Sequence, residues 1–178
     1  DLFGTYWLMQ GNTLPPWEEF ERINADKLKG KYESIQDPAL LESVPDWLHQ
    51  IGKMELGENW EKEIHALNEE AEVVLRVNTL KTTRERLKNR LAEDGIKTYI
   101  VKGYPDALIL EERQNVFRHP AFKEGLFEVQ DASSQLVASA LAVEPGMRVI
   151  DACAGAGGKS LHLAALMENK GKVISMDV

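Results

Sequence analysis

The chain has one cysteine, Cys153, among 178 residues. That excludes an internal disulfide and any zinc site built on a cysteine cluster. Its four histidines, His49, His65, His119 and His162, are scattered without metal-ligand spacing, so no metal is expected. No apolar run approaches the roughly 18 residues of a membrane helix. No signal-peptide pattern opens the chain, so the expectation is a cytoplasmic protein with no membrane partner. An excess of basic charge is also missing. The formal net charge of −8 excludes a generally basic nucleic-acid binder.

What is present is segregated. Residues 1–75 carry 6 basic and 16 acidic side chains, residues 76–102 carry 8 and 3, and residues 103–178 carry 7 and 10. One basic patch therefore sits on an acidic chain. Residues 1–71 read as helical. The aromatic run from Leu2 to Met9 is broken at Gly11-Asn12 and Pro15-Pro16, and amphipathic segments follow at Trp17 to Leu28, Ala39 to Ile51 and Glu58 to Glu70. The tryptophans of this region read as packing residues.

Residues 72–130 change character. Val73 to Val77 reads as a strand, Thr82-x-x-Glu85 as a capping box opening a helix with Leu87 and Leu91 on its buried stripe, and Ile96 to Val101 and Ala107 to Leu110 as two further strands. The order β-α-β-β suits a small α+β sheet of the split-βαβ kind. Lys81, Arg84, Arg86, Lys88 and Arg90 form a basic helix face, open to two readings: a solvated surface, or phosphate contacts with salt-dependent affinity.

Residues 131–178 open with a small-residue helix, Ala132 to Ala142, capped by Asp131. Then comes the stretch that carries chemistry. Arg148 to Asp151 is a short strand, and Ala152 to Gly158 contains almost only small residues. A helix runs from about Lys159 to Glu168, and Lys172 to Asp177 is a second strand. This is a β-α-β unit with parallel strands. Gly155, Gly157 and Gly158 let a ligand lie against the backbone, and the free N–H groups of the helix start can bind its polar groups. A P-loop would need its first glycine where Cys153 stands, although Gly158-Lys159-Ser160 matches its end. The dinucleotide fingerprint is half present, as Gly155-x-Gly157-x-x-Ser160. An acid closes each strand: Asp151 at the turn, and Asp177 placed to accept hydrogen bonds from ribose hydroxyls. Two acids at such a turn suit a nucleoside with a cationic end better than a diphosphate.

Three stretches together resemble one family. Asp151-Ala-Cys-Ala-Gly-Ala-Gly-Gly-Lys-Ser160 resembles motif I of the Sun (Fmu/RsmB-like) family of RNA cytosine-5 methyltransferases, usually D-x-C-A-A-P-G-G-K-T. Leu75 to Lys81 is similar to its R-x-N-x-x-K segment, and Gly125 to Ser134 to its G-x-x-x-x-Q-D-x-x-S element. The resemblance spans about residues 45–178. Residues 1–44 match nothing in it. Joined to the residue reading above, it gives the expectation of an α/β protein with a helical region (1–71), a small RNA-recognition-like α+β domain (72–130) and the opening β-α-β of a Rossmann-like methyltransferase domain (131–178). It implies S-adenosylmethionine held by Cys153, Ala154, Gly155, Ala156, Gly157, Gly158, Lys159 and Asp177. RNA contacts are expected at Arg76, Asn78, Lys81, Arg84, Arg86, Lys88 and Arg90. Gly155 and Ala156 depart from the family's usual alanine and proline.

The family uses two catalytic cysteines in later motifs, and Cys153, in the cofactor turn, is neither. The chain starts at Asp1 without a methionine and stops at Val178, so both ends read as cuts. The catalytic cysteines are accordingly expected beyond residue 178, and this stretch alone is expected to be inactive. Ribosomal RNA stands ahead of transfer RNA as substrate. Two other readings stay open: a non-catalytic RNA-binding or assembly module, and a P-loop-like nucleotide-binding protein.

Overall fold

The structure is a computed structural model that describes residues 2–178. Two compact units divide the chain after Glu70. The first is helical: α1 (Leu2–Met9), a 3-10 turn (Glu18–Phe20), α2 (Ala25–Glu33), α3 (Pro38–Leu41), α4 (Asp46–Leu56), a second 3-10 turn (Gly57–Asn59) and α5 (Trp60–Asn68). Side chains start two of these helices, with Asn24 accepting from the Lys27 amide and Asp37 from the Ala39 amide. Two glycines allow close packing. A Cβ on Gly52 would lie 2.3 Å from the Trp60 ring, and one on Gly4 2.7 Å from Ile23. Trp60 is buried and its indole N–H donates to His49 Nδ1 at 2.9 Å.

Two expectations for this unit need correction. The segment from Trp17 to Leu28 is not one helix, because Asn24 caps a new start at Ala25. Of the tryptophans, Trp60 alone is core; Trp17 and Trp47 are more than half exposed.

The second unit, residues 71–178, holds two sheets. β1 (Val74–Val77), β2 (Thr98–Tyr99), β3 (Ala107–Leu110) and β4 (Phe127–Val129) form an antiparallel sheet in the order β2-β3-β1-β4. Leu75 lies opposite Leu108 on one side and Val129 on the other. Helix α6 (Arg84–Glu93) links β1 to β2, and the short α7 (Pro120–Lys123) precedes β4. Thr83, not Thr82, is the N-cap of α6; its side chain accepts from the Arg86 amide at 3.3 Å. The expected strand from Ile96 to Val101 shrinks to two residues. Ile96 instead folds back with its amide on the Leu91 carbonyl, and the Tyr104 amide reaches Val101. The strand β4 lies inside the Gly125–Ser134 element, whose motif residues mask its short Phe-Glu-Val run.

Period-two alternation sends β1 side chains to opposite faces. Leu75 and Val77 join Leu87, Leu91, Leu108, Leu110 and Phe127 in the main core, beneath α6. Val74, Ala107 and Ile109 form a second cluster on the opposite face, where Ala132 packs against it from α8 (Ala132–Ala140). An RNA-recognition-like sheet uses one free face to stack bases. Here that face is covered, with Val74 at 5%, Ala107 at 0% and Ile109 at 3% exposure. The fold is α+β as expected, but this sheet face is core.

The remaining elements are β5 (Arg148–Asp151), α9 (Gly158–Leu166) and β6 (Lys172–Ser175). β5 and β6 pair in parallel, Asp151 opposite Ser175, as a β-α-β crossover requires. Leu163 and Met167 are buried, whereas Ile150 and Leu161 are more than half exposed. Among the described residues no helix is long and apolar enough to cross a membrane.

Candidate functional site

The glycine turn runs from the end of β5 to the start of α9. Gly155 has φ +53° and Gly157 φ +84°, both in the left-handed region that disfavours side chains. Gly157 is the residue from which α9 starts, and its carbonyl accepts the first helical bond, from the Leu161 amide at 2.8 Å. A Cβ on Gly157 would meet nothing within 4 Å, and one on Gly155 would meet only the Asp177 carboxylate, at 4.0 Å. Open space therefore lies over the turn backbone. Cys153, Gly155, Ala156 and Lys159 are exposed, while Ala154, Gly157 and Gly158 are half-buried.

Hydrogen bonds join the turn to the ends of both strands. The Ala154 amide donates to the Met176 carbonyl at 3.0 Å, and the Met176 amide to the Asp151 carbonyl at 2.8 Å. Asp177 accepts from the Gly155 amide through one carboxylate oxygen and from the Val178 amide, at 2.8 Å, through the other. These two N–H donors hold its carboxyl below the ordinary carboxylate value. Ser160 donates to Asp151 at 2.7 Å, and its hydroxyl lies 2.8 Å from that of Ser175. A P-loop serine serves a metal-bound phosphate; this one is engaged by a carboxylate. Among the described residues no group of three His, Cys, Asp or Glu could hold a metal ion.

The three motif stretches meet in space. Arg76, in β1, is 3% exposed. Its Nη1 donates to Gln130 Oε1 at 2.5 Å and to the Gly158 carbonyl, the first residue of α9. Burial pushes its guanidinium below the usual arginine value, while Glu128 and Asp106 act in the other direction. Asn78 donates to the Gly125 carbonyl at 2.9 Å and accepts from the Leu80 amide at 3.2 Å. Lys81 Nζ donates to the Glu124 carbonyl at 2.6 Å. Asp131 accepts from Ser133 and caps α8 through the Ser134 amide, and the Gln135 side chain donates to the Gln130 carbonyl at 3.0 Å.

This geometry corrects part of the expected RNA surface. Arg76 and Asn78 are used inside the protein, tying β1 to the Gly125–Ser134 element and to α9. Arg84 is half-buried and donates to the Tyr104 carbonyl at 3.1 Å. Arg90 forms a two-pronged pair with Glu124 at 2.9 and 2.8 Å. Arg86 and Lys88 have no ion pair among the described residues, and Arg86 is exposed. Sequence reasoning missed Gln130 as a side-chain partner, although it belongs to a quoted motif. It also missed His162, whose Nε2 lies 3.5 Å from Asp106 in the loop before β3, with both groups largely buried. No local pattern marks that pair.

Comparison with known proteins agrees with this arrangement. Residues 44–117 match the family model for the RsmF/B-like methyltransferase, ferredoxin-like domain. A Synechocystis protein named "Probable ribosomal RNA small subunit methyltransferase B" is 36% identical over 76% of this chain, which spans 31% of the relative. A Pseudomonas syringae ribosomal RNA small subunit methyltransferase B is 33% identical over 82% of this chain and 33% of its own length. The solved structure of a methyltransferase homologue from Pyrococcus horikoshii superposes with a TM-score of 0.72 at 30% identity. That match covers 79% of this chain and 47% of the homologue. The chain thus spans about a third of the length of these curated relatives. With its sheet in the order β2-β3-β1-β4 and the glycine turn joined to it through Arg76, the chain carries over residues 44–117 a match to the ferredoxin-like domain of the RsmF/B-like methyltransferase family.

Proposed function

We propose that this chain is part of an RNA methyltransferase that moves a methyl group from S-adenosylmethionine to carbon 5 of a cytosine, in ribosomal RNA. The observation that carries the reading is the open glycine turn with a carboxylate at the end of each strand, Asp151 and Asp177. The donor set fits the cofactor. Backbone N–H groups at the start of α9 suit its carboxylate, strand-end acids suit ribose hydroxyls and cationic groups, and the bare backbone at Gly155 and Gly157 leaves room for the nucleoside. Cys153, Ala154, Gly155, Ala156, Gly157, Gly158, Lys159 and Asp177 would hold it. When bound, the cofactor supplies an electrophilic methyl group.

Carbon 5 of cytosine needs activation by a thiolate attacking carbon 6. Cys153 lies in the cofactor turn, so we assign that attack to no residue of this chain. The ribosomal substrate follows the names of the relatives, and a cytoplasmic location follows that substrate. Arg86 and Lys88, with the exposed Lys81, are the remaining candidates for RNA phosphates.

Calorimetry with S-adenosylmethionine on the whole protein tests the reading. Saturable one-to-one binding is expected, together with cytosine-5 methylation of ribosomal RNA read by mass spectrometry of nucleosides. A whole protein that ignores the cofactor removes the enzyme reading and leaves the RNA-binding module in its place.

A further inference from the structure

We infer that Arg76 is a positioning residue for the glycine turn, holding the first peptide of α9 in the orientation the ligand meets. The inference rests on the cofactor reading of that turn.

A buried guanidinium is costly unless its hydrogen bonds are made. Arg76, 3% exposed, directs one nitrogen to two acceptors from different parts of the chain, the Gln130 side chain and the Gly158 carbonyl. The second acceptor matters for the turn. The peptide linking Gly158 to Lys159 is planar, with its C=O and N–H pointing in opposite directions. Fixing the Gly158 oxygen therefore also fixes the line of the Lys159 N–H, which points out of the N-terminus of α9 toward the space over the turn. The bond does nothing for the helix on its own account, since a cation near a helix N-terminus opposes the dipole. Orientation is what it supplies.

A second contact lies one turn further along the same helix face. His162, four residues after Gly158, is 2% exposed and 3.5 Å from Asp106. Among the described residues neither of its ring nitrogens has a hydrogen-bond partner. Asp106 also acts to favour the charged form of Arg76. Gln130 is held in turn by its backbone, whose amide donates to the Val74 carbonyl at 3.0 Å and whose carbonyl accepts from Gln135. The turn is thereby referenced to the central strand of the other sheet. At this burial Arg76 has no surface from which to reach a phosphate.

The test compares wild type, Arg76→Lys and Gln130→Ala. Lysine keeps the charge but lacks the planar fork. Hydrogen exchange of the 178-residue chain without ligand is read at the Leu161 amide, which closes the first turn of α9, and at Leu75 and Leu108. In Arg76→Lys, exchange at Leu161 should rise about tenfold while Leu75 and Leu108 keep their protection, a loss in the range of one charge-assisted hydrogen bond. In the whole protein, calorimetry should show S-adenosylmethionine bound about tenfold more weakly, with KM for RNA within about twofold of wild type. Unchanged Leu161 exchange and cofactor affinity overturn the inference. So does a rise in KM for RNA alone, or a uniform loss of protection across the sheet. If Arg76→Lys does not fold, Gln130→Ala decides: about a threefold loss of cofactor affinity supports the inference, and none overturns it. A wild-type protein that binds no cofactor rejects the proposed function, while exchange at Leu161 still reports on the positioning contact.

Discussion

The two sheets of residues 71–178 are built from similar strands and end in opposite environments. β1 is Val-Leu-Arg-Val and buries all four residues, because α6 covers one face and α8 the other. β5 is Arg-Val-Ile-Asp, and Ile150 in its middle is 62% exposed. Periodicity identifies both as strands, but burial depends on what lies above each face. The first sheet is held by packing. The glycine turn at the end of the second is held by local hydrogen bonds, Ala154 to Met176, Gly155 to Asp177 and Ser160 to Asp151, and by Arg76 reaching across from the first. The turn proposed to hold the cofactor is therefore shaped by a small set of polar contacts where apolar cover is thin.

The sharpest way to break the comparison is to remove packing from one sheet and then from the other. Phe127 is fully buried among Leu75, Leu87 and Leu108, and its ring centroid is 5.6 Å from that of Phe122. Phe127→Ala should destabilise the unit by about 3–5 kcal/mol, read from the midpoint of urea unfolding. Ile150→Ala, by contrast, should stay within about 0.5 kcal/mol because the side chain already meets water. Equal losses would mean that β5 is covered in solution.

How much of this could be read beforehand follows the same division. The glycine turn and the strands on either side of it are local, and residues 148–177 reveal them because glycine, small residues and strand-end acids act over a few positions; the Asp131 cap is local to the start of α8 in the same way. The α+β class of residues 72–130 was legible for the same reason. The roles of Arg76 and Asn78 were not. A basic residue beside an amide reads as a surface for phosphate, and only the return of Gly125–Ser134 beside β1 turns both inward. The Asp106–His162 pair is 56 residues apart in sequence and has no periodic signal. The aromatic content of residues 2–70 misled in the opposite direction. Four tryptophans suggested core or inter-helix packing, yet Trp47 lies largely in solvent and Trp17, more than half exposed, stacks on Phe20 at the surface.

A smaller effect sharpens what covers the second face of the four-stranded sheet. Asp131 begins α8 by accepting from the Ser133 hydroxyl and the Ser134 amide, and these bonds hold its carboxyl below the ordinary value. Asp131→Ala should cost about 1 kcal/mol, the usual worth of an N-cap. Hydrogen exchange should place the loss at α8 and at the Val74, Ala107 and Ile109 face, leaving the Leu87–Leu91 side unaffected. A loss spread evenly over both faces would show that α8 does not act as a separate cover.

The smallest effect concerns the turn alone, and pH reaches it without a substitution. Asp177 accepts the Gly155 and Val178 amides only as strongly as its charge allows, and its folded-state pKa lies below the ordinary 3.8. The sign follows from linkage: a depressed carboxylate pKa gives stabilisation that is complete above the unfolded value and is lost as pH falls through the folded one. The Gly155 amide proton, followed by NMR from neutral pH downward, should move with a midpoint below 3.8. Asp177→Asn should abolish that movement while leaving the amides of β1 unchanged, because the buried sheet has no part in this bond. A midpoint at or above 3.8 would mean that Asp177 does not close the turn. In that case Arg76 would be the stronger restraint on the turn, and the two-stranded sheet would owe its shape there to a residue of the other sheet.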